Sequence, residues 1–351
     1  RRSSDLICFI AVLFIRMPVM ADDGVPETAW RDNAATDFAG GSGTEADPYQ
    51  ITDGAQLAKI AKDVENGTVY KDAYFRLEND IDLSAHRWNP IGVYKWYEGG
   101  ATEDRMFAGF LDGNGKTITG LIVDERTEKN RAGLFGQIAY TGAATNVGVK
   151  DLNIVDARIY ATNEGMEKNS SAILAGFVMA NSGHTIRFDD ISVSGTIVNT
   201  KVGDNSMMSG GLFGEANRVT ADHCRADVTI EGGDNTGGFV GLDGSSTYTN
   251  CKVTGKVTGL WAIGGFVGYA WEAESATMST YDNCIAKVDV VANEWRAGGF
   301  AGYMQKGKSS SCAALGDVTS SVTGFNPKVG GFAGEIGDKN VTGGAILEKC
   351  Y

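Results

Sequence analysis

Three histidines, six cysteines, a scatter of aspartates and a group of aromatic residues are what this 351-residue chain offers for chemistry. His86, His184 and His223 stand far apart, and His223, one residue before an alternating stretch, is expected on the surface. No His-Glu-x-x-His, nucleophile elbow, phosphate loop or Ser/His/Asp arrangement is legible. The acidic candidates for calcium ligation are Asp80, Asp82, Asp112, Asp189 and Asp190; turn formers surround them, so turn chemistry accounts for them without a metal. The aromatic group is more distinctive. Trp261 and Trp295 each lie four residues before the second glycine of a repeated block, and Tyr269 and Tyr303 each lie four after it. If those blocks stack in register, each pair meets on adjacent turns, with Trp271 extending the patch and Arg296 beside it. Such residues hold sugar faces or anchor partner proteins, or else cover a corner loop and pack on one another.

What must position them is a repeat. Glycine-flanked apolar blocks occur at Ala132–Gly136, Ala175–Met179, Gly210–Gly214, Gly237–Gly241, Gly264–Gly268, Gly298–Gly302 and Gly330–Gly334. The shortest unit, Gly238 to Gly265, is 27 residues. Cys224, Cys251 and Cys312 follow the second block residue by 13, and Cys284 and Cys350 by 19; Leu152 and Ile191 take that place after the first two blocks. Past each cysteine the chain alternates, as in Arg225-Ala226-Asp227-Val228-Thr229-Ile230, which is a half-buried strand. Self-similarity at this period is a solenoid signature, and the strand period makes it a β solenoid. The expected fold is therefore all-β, a right-handed parallel β-helix. Its inward ladder would be Leu134, Phe177, Leu212, Phe239, Phe266, Phe300 and Phe332, and its second ladder the cysteines. The glycines supply either positive φ or room for a tight corner. Stacked equivalent Cβ atoms point in parallel and no Cys-x-x-Cys occurs, so buried free thiols are expected, with disulfides as the competing reading.

The net charge of −13 argues against a nucleic-acid partner, and 48 glycines without a Gly-X-Y period suit a turn-rich β fold. Residues 1–21 read as a signal peptide, with Arg1-Arg2, an apolar run from Leu6 to Ile15 and a Val19-Met20-Ala21 cleavage pattern; the run is too short to span a bilayer. The mature chain then carries no membrane span. Residues 22–39 read as a loose linker. Residues 40–110 hold a cap helix and the first coils: Asp53 is a fitting N-cap with Gln56 at N3, Leu57, Ile60, Ala61 and Val64 share one face, and Asn66-Gly67 ends it. Residues 111–351 are the repeat. The missing initiator Met and an end one residue past an inward cysteine suggest a piece of a longer chain.

The blocks, together with Gly43-Thr44 to Pro48-Tyr49, Asn79-Asp80-Ile81-Asp82-Leu83, Trp88-Asn89-Pro90-Ile91-Gly92 and Asp112-Gly113-Asn114-Gly115, resemble the GLUG-motif repeat proteins of bacterial surfaces over residues 40–351. The resemblance implies a pectin-lyase-like β-helix in a secreted or wall-attached protein. It carries over no catalytic residue and no cofactor. Three functions follow as expectations: a secreted or surface-displayed adhesin-like scaffold contacting a glycan or a host or bacterial surface protein; a polysaccharide lyase or glycosidase, which needs two or three carboxylates and a Lys or Arg converging in a groove; or the non-catalytic region of a surface protease. The expected state is a monomer or one part of a multidomain chain.

Overall fold

Alternation becomes strand wherever the sequence shows it. The computed structural model describes residues 24–96, 102–127, 130–139, 146–162, 168–200, 206–271, 277–321, 327–337 and 344–351; the expected signal peptide lies outside them. Arg225–Glu231 alternates exposed and buried along its length, and Lys252–Gly259 and Ile285–Ala292 lie beyond it in parallel register. Among the described residues the chain winds through three parallel sheets of 18, six and seven strands, a right-handed parallel β-helix. The antiparallel pair Val93–Trp96 and Thr102–Arg105 departs from that plan. No described helix is long and apolar enough to cross a membrane.

The cysteine ladder is built as the spacing predicts. Leu152, Ile191, Cys224, Cys251, Cys284, Cys312 and Cys350 occupy equivalent places on successive turns. All five thiols are free, and the first four are buried. Each donates to two backbone carbonyls, one two residues earlier in its own turn and one in the preceding turn; for Cys251 these are Thr249 at 3.3 Å and Ala221 at 3.5 Å. Burial pushes the thiols of Cys224 and Cys284 well above the ordinary range. The residue before each ladder position takes a left-handed φ: Asp151, Asp190, His223, Asn250, Asn283, Ser311 and Lys349 all fall between 51° and 55°. Asn and Asp tolerate that conformation through local hydrogen bonding, so the column kinks the widest sheet. Asp190 and His223, both candidates for chemistry, are thereby corner residues.

The block glycines do the other half of the work, and they do it by close approach. In the five later blocks none has a left-handed φ. A Cβ on Gly238 would stand 2.2 Å from the Gly265 carbonyl oxygen, and one on Gly299 2.1 Å from that of Gly331. The last glycine of each block faces the neighbouring sheet instead: a Cβ on Gly268 would meet the Thr236 nitrogen at 2.7 Å. Backbone packed on backbone thus forms the bend between the six-stranded and seven-stranded sheets.

Inside the bend, Phe239, Phe266, Phe300 and Phe332 stack with centroids 4.6, 4.9 and 4.8 Å apart and planes within 8° of parallel. Burial of each ring contributes roughly 1.5–3 kcal/mol. Phe332, at the end of the stack, is half-buried. Leu134 and Leu212 share the ladder, but Phe177 does not. Its place is taken by Leu174, hydrogen-bonded between Leu134's turn and Leu212's, while Phe177 pairs with Gln137 and Glu215 and carries the Arg131 guanidinium on its outer side. The block in that turn is Ala172-Ile173-Leu174-Ala175-Gly176, displaced by three residues from the expected one because Ile173 stands where glycine stands elsewhere.

The first coils share one continuous apolar core with the repeats, running from Trp30 to Cys312. The helix Gly54–Glu65 lids it, capped by Asp53 accepting from the Gln56 nitrogen at 2.9 Å, with Leu57, Ile60, Ala61 and Val64 buried. Within residues 24–39, expected as a loose linker, Ala29 and Trp30 are buried. Trp30 is 9% exposed, its Nε1 donates to the Leu83 carbonyl at 2.9 Å, and its ring lies so close to Gly54 that a Cβ there would be 2.7 Å away.

One core place holds a charge-bearing group. Asp243 occupies the column of Val178, Ala216, Ala270 and Met304, and is fully buried. Alanines on either side leave room for its carboxyl, which accepts from Tyr248 Oη at 2.8 Å and Tyr281 Oη at 2.6 Å. Removal from water raises its pKa, against the opposing pull of the Tyr281, Ser279, Ser246 and Tyr248 hydrogen bonds.

Two predictions follow from this packing. Gly299→Ala should destabilise by about 1–3 kcal/mol through overpacking. Gly331→Ala, the same place in the last block with nothing within 4 Å of its Cβ, should stay within about 0.5 kcal/mol. Denaturant titration of both variants decides, and equal losses would refute the close-approach account. Asp243 is protonated more readily folded than unfolded, so its contribution is complete below the ordinary carboxylate pKa and is lost as pH rises through the folded value. Melting temperatures of wild type and Asp243→Asn between pH 3.5 and 8 should therefore shift in favour of the variant as pH rises; a pH-independent difference would contradict this.

Candidate binding surface

Register brings Phe177, Glu215, Leu242, Tyr269, Tyr303 and Glu335 into one outward row on the seven-stranded sheet. Ala262, Arg296 and Lys328 form a row on the six-stranded sheet. The glycine bend turns these rows toward each other, and the expected aromatic residues meet in the notch. Tyr269 and Tyr303 stack at 4.9 Å, 8° from parallel. Trp261 and Trp295 do not stack; they meet edge to face at 5.9 Å and 73°. The reason is Arg296, which lies at the centre of the group. Its guanidinium sits 4.2 Å from the Trp261 ring centre, 3.9 Å from Trp295 and 4.5 Å from Tyr303. It is 5% exposed.

Glu335 closes the group, accepting from Arg296 Nε and Lys328 Nζ. Burial alone would raise its carboxyl, but those hydrogen bonds and positive charges hold it below the ordinary glutamate range. Lys328 also lies 5.6 Å from the Trp295 ring centre. Among the described residues Arg296 Nη1 has no hydrogen-bond acceptor. Tyr303 is buried, Trp261 and Tyr269 are half-buried, and Trp295 is 39% exposed. The group is thus a clamped cluster with one tryptophan presented outward, the rings packed on one another as the second of the two expectations had it. Trp271 lies outside it: its backbone nitrogen donates to the Asp243 carbonyl at 3.0 Å, and its ring meets none of the other four aromatics. Another cation–π group was not legible in the sequence: Arg131 lies 4.1 Å from the ring centre of Tyr94, on the antiparallel pair, and 3.7 Å from that of Phe177, on the seven-stranded sheet.

The calcium candidates are tied into turns and ion pairs. Asp80 accepts from the Thr117 nitrogen at 2.8 Å, and Asp82 from Ser84 at 2.8 Å, a backbone hydrogen bond that lowers its pKa. Asp112 accepts from Asn114 at 2.8 Å and pairs with Lys150 at 3.1 Å; Asp189 pairs with Arg187 at 3.1 Å. Among the described residues no three His, Cys, Asp or Glu side chains are grouped to hold a metal ion. His86 bonds to Thr28 at 2.6 Å and lies edge-on to Trp30, and His223 lies 2.9 Å from Asp222. Yet Asp112 and Asp189 do come together, with Lys150 and Arg187, along an open groove of about 460 Å³. Burial tends to lower the Lys150 pKa, but hydrogen bonds and charge from Asp112 and Asp151 raise it on balance, so its amine is held protonated.

No family model matches the chain. It is 30% identical over 155 residues to a provisionally assigned Gly-rich membrane protein of Evansella cellulosilytica, a match covering 42% of this chain and 15% of that protein. It is 29% identical over 191 residues to halomucin of Haloquadratum walsbyi, covering 53% of this chain and 2% of that protein. The chain thus corresponds to a small part of either relative's length. Its fold is similar to that of a provisionally assigned immunoglobulin A1 protease from Bacteroides ovatus, with a TM-score of 0.54, 17% identity, and 89% and 87% of the two chains covered. At that identity the likeness is one of fold, and the parallel β-helix is what the two chains share.

Proposed function

We propose that the chain is a secreted or surface-displayed β-helix, GLUG-like in its repeat, that serves as an adhesin-like binding scaffold. The observation that carries this reading is the clamped cluster of Trp261, Trp295, Tyr269, Tyr303 and Arg296. Trp, Tyr and Arg dominate the energetics of protein contacts, and a contact residue already held in place loses little conformational freedom on binding. Trp295 is held in that way by Arg296 and Lys328 while a large part of its ring faces solvent. The names of the two relatives, a membrane protein and a halomucin, agree with display at a cell surface. A glycan-bearing or protein surface of another cell is the partner such a patch suits.

The groove at Asp112 and Asp189 favours a second reading, a lyase or glycosidase, since it assembles two carboxylates with Lys150 and Arg187. A lyase base, however, needs a pKa tuned down toward the working pH, and Lys150 is shifted the other way. Binding is the better use of that arrangement. The remaining reading, a non-catalytic region of a surface protease, has only the shared fold in its favour.

Surface plasmon resonance against immobilised mucin and against epithelial cell membranes tests the proposal. Intact protein should bind, and Trp295→Ala, which removes an exposed ring and should melt within a few degrees of wild type, should bind at least about tenfold more weakly. Equal binding by both proteins, or accumulation of cleaved polysaccharide on incubation with polygalacturonate, would reject it.

A further inference from the structure

The groove lies on the outside of the widest sheet, well along the chain from the tryptophan cluster, and two rows of side chains build it. In the first, Tyr74, Phe110, Gly148 and Arg187 follow one another on successive turns. In the second, Arg76, Asp112, Lys150 and Asp189 do the same, with charge alternating in sign. The inward neighbours Phe75, Leu111 and Val149 are buried, which fixes both rows outward.

The first row is a platform followed by a gap. Tyr74 and Phe110 are both half-exposed, with ring centres 5.7 Å apart and planes 37° from parallel, so together they offer one apolar floor. The Tyr74 hydroxyl is engaged by Glu45 and Asn146, which lie at the rim. Gly148, itself buried, puts no side chain between Phe110 and Arg187, and the register enforces it, because a Cβ there would stand 2.2 Å from the Arg187 carbonyl oxygen. At one turn per 4.8 Å, Phe110 and Arg187 are separated by about 9.6 Å, two turns apart.

The second row decides the charge of the ligand. Asp112 is paired with Lys150, Asp189 with Arg187, and Arg76 faces Glu78 at 3.7 Å, so each cation of the two rows already has a carboxylate beside it. With Glu45 at the rim, the lining carries three carboxylates against two cations. An acidic sugar or a phosphate would meet net repulsion, whereas hydroxyl groups can donate to the carboxylates and accept from the lysine and arginine without displacing either pair. A volume near 460 Å³ lies within the usual range for small-ligand sites.

We propose that this groove binds a neutral sugar chain, one ring stacked on Tyr74 and Phe110 and the next held among Asp112, Lys150, Asp189 and Arg187. The site is separate from the tryptophan cluster and does not depend on it.

Isothermal titration of the intact protein with cellohexaose, chitohexaose, xylohexaose and mannohexaose, and with hexagalacturonate as the charged comparison, tests the assignment. At least one neutral hexasaccharide should bind with Kd below about 1 mM, and hexagalacturonate more weakly. The double variant Tyr74→Ala, Phe110→Ala should lose about tenfold or more in affinity, while Trp295→Ala should keep it. Arg187→Ala, whose side chain is 67% exposed and whose loss should leave the fold intact, should also weaken binding and so serves if the double variant does not fold. The proposal is overturned by no neutral binding at about 10 mM, by preference for hexagalacturonate, or by unchanged affinity in the groove variants.

Discussion

Backbone packed directly on backbone at the glycine bend is the contact on which everything else in this protein depends. The block glycines let one turn's carbonyls approach the next turn's α-carbons with no space for a methyl group, and let the chain turn from the six-stranded sheet into the seven-stranded one. Once that bend is fixed, the phenylalanine one place further on has a single direction, inward, and its ring falls on the ring of the turn before. The same bend brings two outward rows together, so that Arg296 on one sheet reaches Glu335 and Tyr303 on the other. Core and surface cluster are therefore two consequences of one geometric restriction.

A complementary device works at the opposite corner. There the chain turns through a left-handed residue ahead of each ladder position, and the thiol that follows is tied to two carbonyls. Asn250 and Asn283 add a side-chain ladder along this corner, Asn283 Nδ2 donating to Asn250 Oδ1 at 2.8 Å. Cysteine suits the ladder because it is small, apolar and still a weak donor; Ile191 and Leu152 fill the volume without that donor. Asp243 shows the cost of departing from an apolar interior: one carboxyl in the core needs two tyrosine hydroxyls and two flanking alanines to be accommodated.

How much of this was legible in the sequence depended on whether a feature repeats. The cysteine ladder, the stacked phenylalanines of the later blocks and the cap helix at Asp53 were legible because spacing or capping chemistry specifies them directly. The turn containing Phe177 was misread by three residues because Ile173 and Leu174 replace the glycine pattern there, and only the hydrogen-bond register reveals Leu174 as the ladder member. The corner residues were hidden by their diversity, since Asp, Asn, His, Ser and Lys share a backbone conformation and nothing else. Trp30 looked like part of a polar linker, although it is the ring on which the cap helix rests.

The candidate sites were legible in proportion. Trp261, Trp295, Tyr269 and Tyr303 fell together because each keeps a fixed distance from its block, but the burial of Arg296 among them depends on how two sheets meet. Tyr74, Phe110, Lys150 and Arg187 come from early turns of unequal length, so no period connects them, and their groove exists only through the strand register. The most direct measurement of the central claim is thiol alkylation of the native protein, followed residue by residue by mass spectrometry. If successive turns are locked on one another, Cys224, Cys251, Cys284 and Cys312 resist modification and become reactive together at the denaturant concentration that unfolds the chain. Rapid or independent labelling of any of these four under native conditions would contradict the account.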